Sequence, residues 1–178
     1  MLGLVDRSRR RPFTNADRTA HATAVRDSVM IEHESGTLAD EISKARRVGS
    51  LRLGRFQFAA EGDHPRTDAI DRAALALDLE VLGPTWETIT KDRAHFLLEA
   101  LLRADLAYRS PLIETIHARA FVARFFDGFD ASATYLTNGT WDDTFCGGSN
   151  PIGTATFDVA LGAASDTHVA LVWVGDED

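Results

Sequence analysis

TATFDVALGAASDTHVALVWV, residues 154–174, decides the fold. Ala155, Phe157, Val159 and Leu161 alternate with Thr154, Thr156, Asp158 and Ala160, the period of two expected of a β-strand. A short turn at Gly162–Asp166 follows. Val169, Leu171 and Trp173 then make the inner face of a last strand over 167–174. His168, Ala170, Val172 and Val174 make an outer face apolar enough to be at least partly covered.

Working back from there, the period of two begins at Ala131. Asn138-Gly139 lies between two short strand-like runs, and both residue types tolerate the positive φ of a type I′ hairpin turn. Such a turn sets Leu136 opposite Trp141 and Thr134 opposite Asp143. Upstream the period is 3.6. Helices are expected from Thr67 to Gly83-Pro84, over about 85–108, and from Ser110-Pro111 to Asp127-Gly128. Residues 50–60 read as a strand in which Phe56 and Phe58 fall out of phase with Leu51 and Leu53, and Gly54 marks the place for a bulge. Further helical signals start at Thr14 with Asp17 and at Thr37 with Asp40. Helices first and strands last give an α+β fold, with N-terminal helices packed on one face of a C-terminal antiparallel β-meander. Residues 1–29, rich in Arg, Thr and Asp, read as a basic N-terminal arm. Residues 30–178 read as a single α+β domain.

The charge is unevenly spread along the chain. Residues 1–60 hold 11 Lys+Arg against 7 Asp+Glu; residues 61–178 hold 8 against 20. No Lys or Arg follows Arg124, while nine acids do. A segment of that sign repels phosphate, so the C-terminal half is not expected to bind nucleic acid. No run of about 18 uncharged apolar residues exists to span a membrane. One cysteine, Cys146, and no export signal make the cytoplasm the expected compartment.

Chemical signatures are sparse. The six histidines show no H-x-x-x-H spacing and there is no C-x-x-C, so no metal site is expected. No G-x-G-x-x-G or Walker pattern is present, so no cofactor is expected. A nucleophile at Cys146 needs a base, for which His168 is the candidate, with Asp166 or Asp158 to orient it. The acidic surroundings of Cys146 oppose thiolate formation. An enzyme with that Cys/His site, or with an Asp/His metal site, is therefore the second reading.

The first reading is a small acidic binding module of the inhibitor or immunity type, not an enzyme. It docks a basic protein partner, such as a toxin, through an uncompensated anionic wall on the C-terminal sheet. Tyr135 and Trp141 are the expected aromatic anchors, with Asp142, Asp143, Asp158, Asp176 and Glu177 as the acids around them. A homodimer formed through the apolar outer side of the last strand is a third expectation.

Overall fold

The computed structural model describes residues 14–25, 30–32, 35–58, 65–143 and 147–177. Five α-helices and eight strands occur among them: α1 (Asn15–Val25), β1 (Met30–Glu32), α2 (Ser35–Arg46), β2 (Ser50–Phe58), α3 (Arg66–Ala76), β3 (Glu87–Ile89), α4 (Lys91–Arg103), α5 (Thr115–Phe125), β4 (Thr134–Thr137), β5 (Gly139–Trp141), β6 (Gly147–Ser149), β7 (Phe157–Ala164) and β8 (His168–Asp176). Six strands form one antiparallel sheet in the order β1-β2-β8-β7-β4-β3; β5 and β6 form a separate two-stranded flap. The α+β class stands as read, with helices mostly ahead of strands.

The central pair, β7 and β8, is buried on both faces. Val159, Leu161, Ala163, Ala170, Val172 and Val174 pack against α2, α4 and α5. Ala160, Ala164, Val169, Leu171 and Trp173 pack against α3 and the chain that follows it. The helices therefore divide between the two faces instead of sharing one, because both faces of β8 are apolar and each needs a cover. β8 also has β2 on one edge and β7 on the other. The dimer contact expected on its outer side has no free surface there.

The phase break in β2 has the same origin. Its ladder with β8 runs without a bulge from Ser50↔Gly175 to Gln57↔His168. Leu53 faces the first core and Phe56 the second. Gly54 makes room for the Phe56 ring, which a Cβ would meet at 2.4 Å.

The long helix expected over 85–108 is shorter at both ends. Trp86 turns into the second core, and Glu87–Ile89 pairs with β4 as an edge strand. Thr90 caps α4, its hydroxyl accepting the Arg93 amide at 3.2 Å. At the other end Ala104 is extended and bridges to Pro111, so α5 begins at Thr115 and not at Pro111.

The type I′ hairpin at Asn138-Gly139 does not form. Among the described residues, the non-glycine positions with positive φ are Arg47, Asp78 and Arg109. Asn138 is 0% exposed; its amide donates to Asp158 Oδ1 at 2.7 Å and accepts from the Ala160 amide at 2.8 Å. β4 pairs with β7 and β3, while β5 leaves the sheet to pair with β6.

Of the basic arm, residues 1–13 and 26–29 lie outside the described residues. The remainder is α1, which rests on α3 through His21 Nε2 and Asp71 Oδ2 at 2.7 Å, with Arg18 bonded to Glu80 at 2.9 Å. Thr14 and Asp17 cap each other reciprocally at its start, as their spacing predicts.

Candidate functional site

A half-open cavity of about 630 Å³ lies between the flap and the turn that links α4 to α5. That volume is in the range of small-molecule pockets. Leu106, Ala107 and Arg109 line it from the turn; Trp141, Gly147 and Ser149 line it from the flap; residues 156–159 form the remaining wall. The flap that walls it is narrow and glycine-rich. A Cβ on Gly147 would lie 1.8 Å from the Thr140 carbonyl oxygen, so the two strands approach this closely only with glycine there.

The turn is held from within. Asp105 accepts the amides of Tyr108 at 2.5 Å and Ser110 at 2.7 Å. The Tyr108 amide, more than any other contact, keeps the Asp105 carboxyl below its usual range. Arg109 adopts φ 60, and Tyr108, between the lining residues Ala107 and Arg109, is 71% exposed. On the flap, the Trp141 indole donates to Thr137 Oγ1 at 3.1 Å, and the Trp141 carbonyl accepts from Arg93 Nη2 at 2.6 Å.

The expected binding residues separate into two groups. Trp141, Asp142, Asp143 and Glu177 lie at or next to this cavity. Asp142 and Asp143 are exposed and continue the flap from Trp141. Glu177 is exposed and accepts from the Thr156 hydroxyl at 2.7 Å. The other three point inward. Tyr135 is 4% exposed, packs edge-on against Phe126, and its hydroxyl has no hydrogen-bond partner among the described residues. Asp176 is buried in a two-oxygen pair with Arg46 at 2.7 and 2.6 Å and also accepts the Leu106 amide. The backbone of Asp158 borders the cavity, but its carboxylate lies on the opposite side of β7. There it accepts from Trp173 Nε1 at 2.8 Å, Gly153 N at 2.6 Å, Ile152 N at 3.2 Å and Asn138 Nδ2. Burial nevertheless holds its carboxyl above the usual range.

The anionic wall is thus dispersed. Arginines from earlier in the chain fold back onto the late acids: Arg46 to Asp176, Arg66 to Asp166 at 2.6 Å, and Arg93 to Asp143 at 2.5 Å. Uneven charge along a chain becomes paired charge across the fold, and Asp142, Asp143 and Glu177 are the exposed acids beside the cavity-lining residues Trp141 and Thr156.

The Cys/His reading gains no geometry. Cys146 lies outside the described residues. Its neighbour Gly147 lines the cavity at the Phe157 end of β7, which pairs with Asp176, whereas His168 begins β8 at the other end, ~26 Å away along the strand. His168 contacts Gln57 Nε2 at 3.1 Å and Thr167 Oγ1 at 2.8 Å through its ring nitrogens, and Asp166 is turned to Arg66. No group of three or more His, Cys, Asp or Glu among the described residues is placed to hold a metal, and no described helix is long and apolar enough to cross a membrane.

Sequence reasoning missed Asp71, Arg93 and the 105–110 turn. Asp71 is fully buried and accepts the amides of Leu82 and Gly83 at 2.9 Å each, the Trp86 indole at 2.8 Å and His21. Its only signal was a carboxylate beside the apolar stripe of a helix. Arg93, three residues after a cap, looked like any solvated first-turn residue. Comparison with family models, with curated proteins and with solved structures found no match for this chain.

Proposed function

We propose that this chain is a binding module that docks a cationic segment of a partner protein at the rim of the cavity. One arrangement carries the reading: Trp141 walls an apolar cavity whose edge bears Asp142, Asp143 and Glu177. Arg109 in the lining and the exposed Tyr108 next to it in the chain complete the Tyr, Trp and Arg set that dominates binding energy at interfaces. Apolar side chains of the partner enter the cavity while their neighbouring cations meet the acids. The inhibitor or immunity type is the form of this reading we favour, with a basic toxin as partner and the cytoplasm as compartment.

The test is a nuclear magnetic resonance titration of the ¹⁵N-labelled full chain with two synthetic peptides. One carries Phe flanked by arginines; the other carries Phe flanked by glutamates. The basic peptide is expected to shift amides 106–109, 147–149 and 156–159 and the Trp141 indole, and to weaken as salt is added. Trp141→Ala is expected to lower its affinity about tenfold or more. Equal binding of the acidic peptide, or shifts confined to other surfaces, would overturn the reading.

A further inference from the structure

We infer that Arg93 occupies a guanidinium subsite beside the cavity, and that an arginine of the docking partner takes its place. This rests on the docking reading above and names the group that enters the rim. Arg93 stands in the first turn of α4, but its side chain crosses to the flap. Its Nη1 bonds Asp143 Oδ1 at 2.5 Å and its Nη2 bonds the Trp141 carbonyl at 2.6 Å. Its guanidinium carbon lies 5.1 Å from the centroid of the Phe96 ring.

A carboxylate, a carbonyl and an aromatic face are the three walls that suit a planar, multiply donating cation better than an ammonium. The subsite is open to an incoming group, since the Asp143 side chain is 76% exposed and Phe96 is 44% exposed. The Arg93 side chain is 29% exposed, and a partner arginine that takes its place would make the same pair with the exposed Asp143, so the exchange costs little. Trp141 belongs both to the cavity wall and, through its carbonyl, to the subsite. A partner that seats an apolar side chain in the cavity therefore holds its adjacent arginine next to the place now filled by Arg93. The resident arginine weakens stray cations by competition, and only a ligand that also fills the cavity displaces it.

Two dipeptides test this on the full chain: N-acetyl-phenylalanyl-arginine amide and, as the neutral control, N-acetyl-phenylalanyl-leucine amide. The Trp141 indole resonance is the readout. Arg93→Ala vacates the subsite and is expected to tighten the arginine dipeptide about tenfold while leaving the leucine dipeptide within about twofold. Adding Asp143→Asn to Arg93→Ala is expected to return the arginine dipeptide to the unmutated affinity or weaker. Arg93→Lys, which keeps the charge without the planar fork, is expected to fall between; unchanged amide resonances away from the flap verify that each variant is folded. Equal affinity of the arginine dipeptide for both proteins overturns the inference and leaves the docking reading standing. An equal gain for both dipeptides means that Arg93 only fastens the flap, which also overturns it. Binding of neither dipeptide to either protein removes the docking reading and the inference together.

Discussion

Against one face of the sheet lie three helices whose buried apolar side chains are half leucine, with isoleucine, valine, phenylalanine and two alanines; against the other lies one helix whose buried side chains are mostly alanine. On the first face the cover is helical, so its backbone satisfies itself and large side chains supply the burial. On the second, α3 covers only part of the sheet and approaches closely. A Cβ on Gly162 would lie 2.5 Å from Ile70 Cδ1. Irregular chain around residues 77–86 and 150–156 closes the rest, with the Glu80 amide donating to the Ile152 carbonyl at 2.8 Å. Irregular chain leaves amides without partners, and two buried carboxylates take them. Asp71 takes Leu82 and Gly83, Asp158 takes Ile152 and Gly153, and each also takes a tryptophan indole. Irregular chain calls for internal acceptors wherever it roofs the core: on the helical side only the α4–α5 turn needs them, and Asp105 takes its Tyr108 and Ser110 amides while Asp176 takes its Leu106 amide.

The largest expected effect comes from removing one such acceptor. Asp71→Ala strands two backbone donors and the Trp86 indole and is expected to cost about 4 kcal/mol. Leu101→Ala on the helical face is expected to cost about 3 kcal/mol, as buried leucine truncations do. Urea unfolding measures both against a total of ~5–15 kcal/mol. If Asp71→Ala costs under about 1 kcal/mol, the contrast between the faces is lost.

A smaller effect tests the close approach of α3. Gly162→Ala is expected to cost about 1–3 kcal/mol by overpacking against Ile70. Pairing it with Ile70→Val, which removes the Cδ1 it meets, is expected to recover part of that loss in a double-mutant cycle. Strict additivity would show that the backbone spacing on this face is not set by Gly162.

The smallest effect is electrostatic, and its sign differs between the faces. On the helical face the His95 ring stacks on Phe126 with centroids 4.5 Å apart, and its Nε2 has no hydrogen-bond partner among the described residues. Burial, helped by Lys91, holds its imidazole below the usual range. The unfolded chain thus takes the proton first, and stability falls as pH drops below about 6.5. Asp158 on the looped face is held above its usual range by burial. There the folded chain takes the proton first, and stability rises as pH falls towards about 3.9. His95→Phe is expected to flatten the loss between pH 7 and pH 5, read from urea midpoints at the two values. Parallel losses in the variant and the unmutated protein would remove His95 as the cause.

Much of the architecture was legible because it depends on local periodicity. The alternation through Val159 and Leu161, and the two apolar sides of Val169–Val174, mark β7 and β8 without reference to any partner. The phase break at Gly54 was visible too, but its meaning was not. A strand that changes its apolar side is read as bulged when one core is assumed, and as straight when there are two. Asn138-Gly139 has the composition of a hairpin turn, yet the Asn138 amide is worth more as a buried tie between β4 and β7. Trp141 was legible as an aromatic beside acids. Its cavity was not, because the opposite wall comes from the turn at residues 106–109.

By itself the sequence determined the class of fold, the central strands, most of the helices and the sum of the charge. All of these are properties of single segments or of composition. Only the tertiary structure decided which charges are paired. Whether Asp143, Asp166 and Asp176 form a wall or vanish into pairs depends on where Arg93, Arg66 and Arg46 come to rest. Coulomb attraction acts on distance in space, and chain folding, not spacing along the sequence, sets that distance.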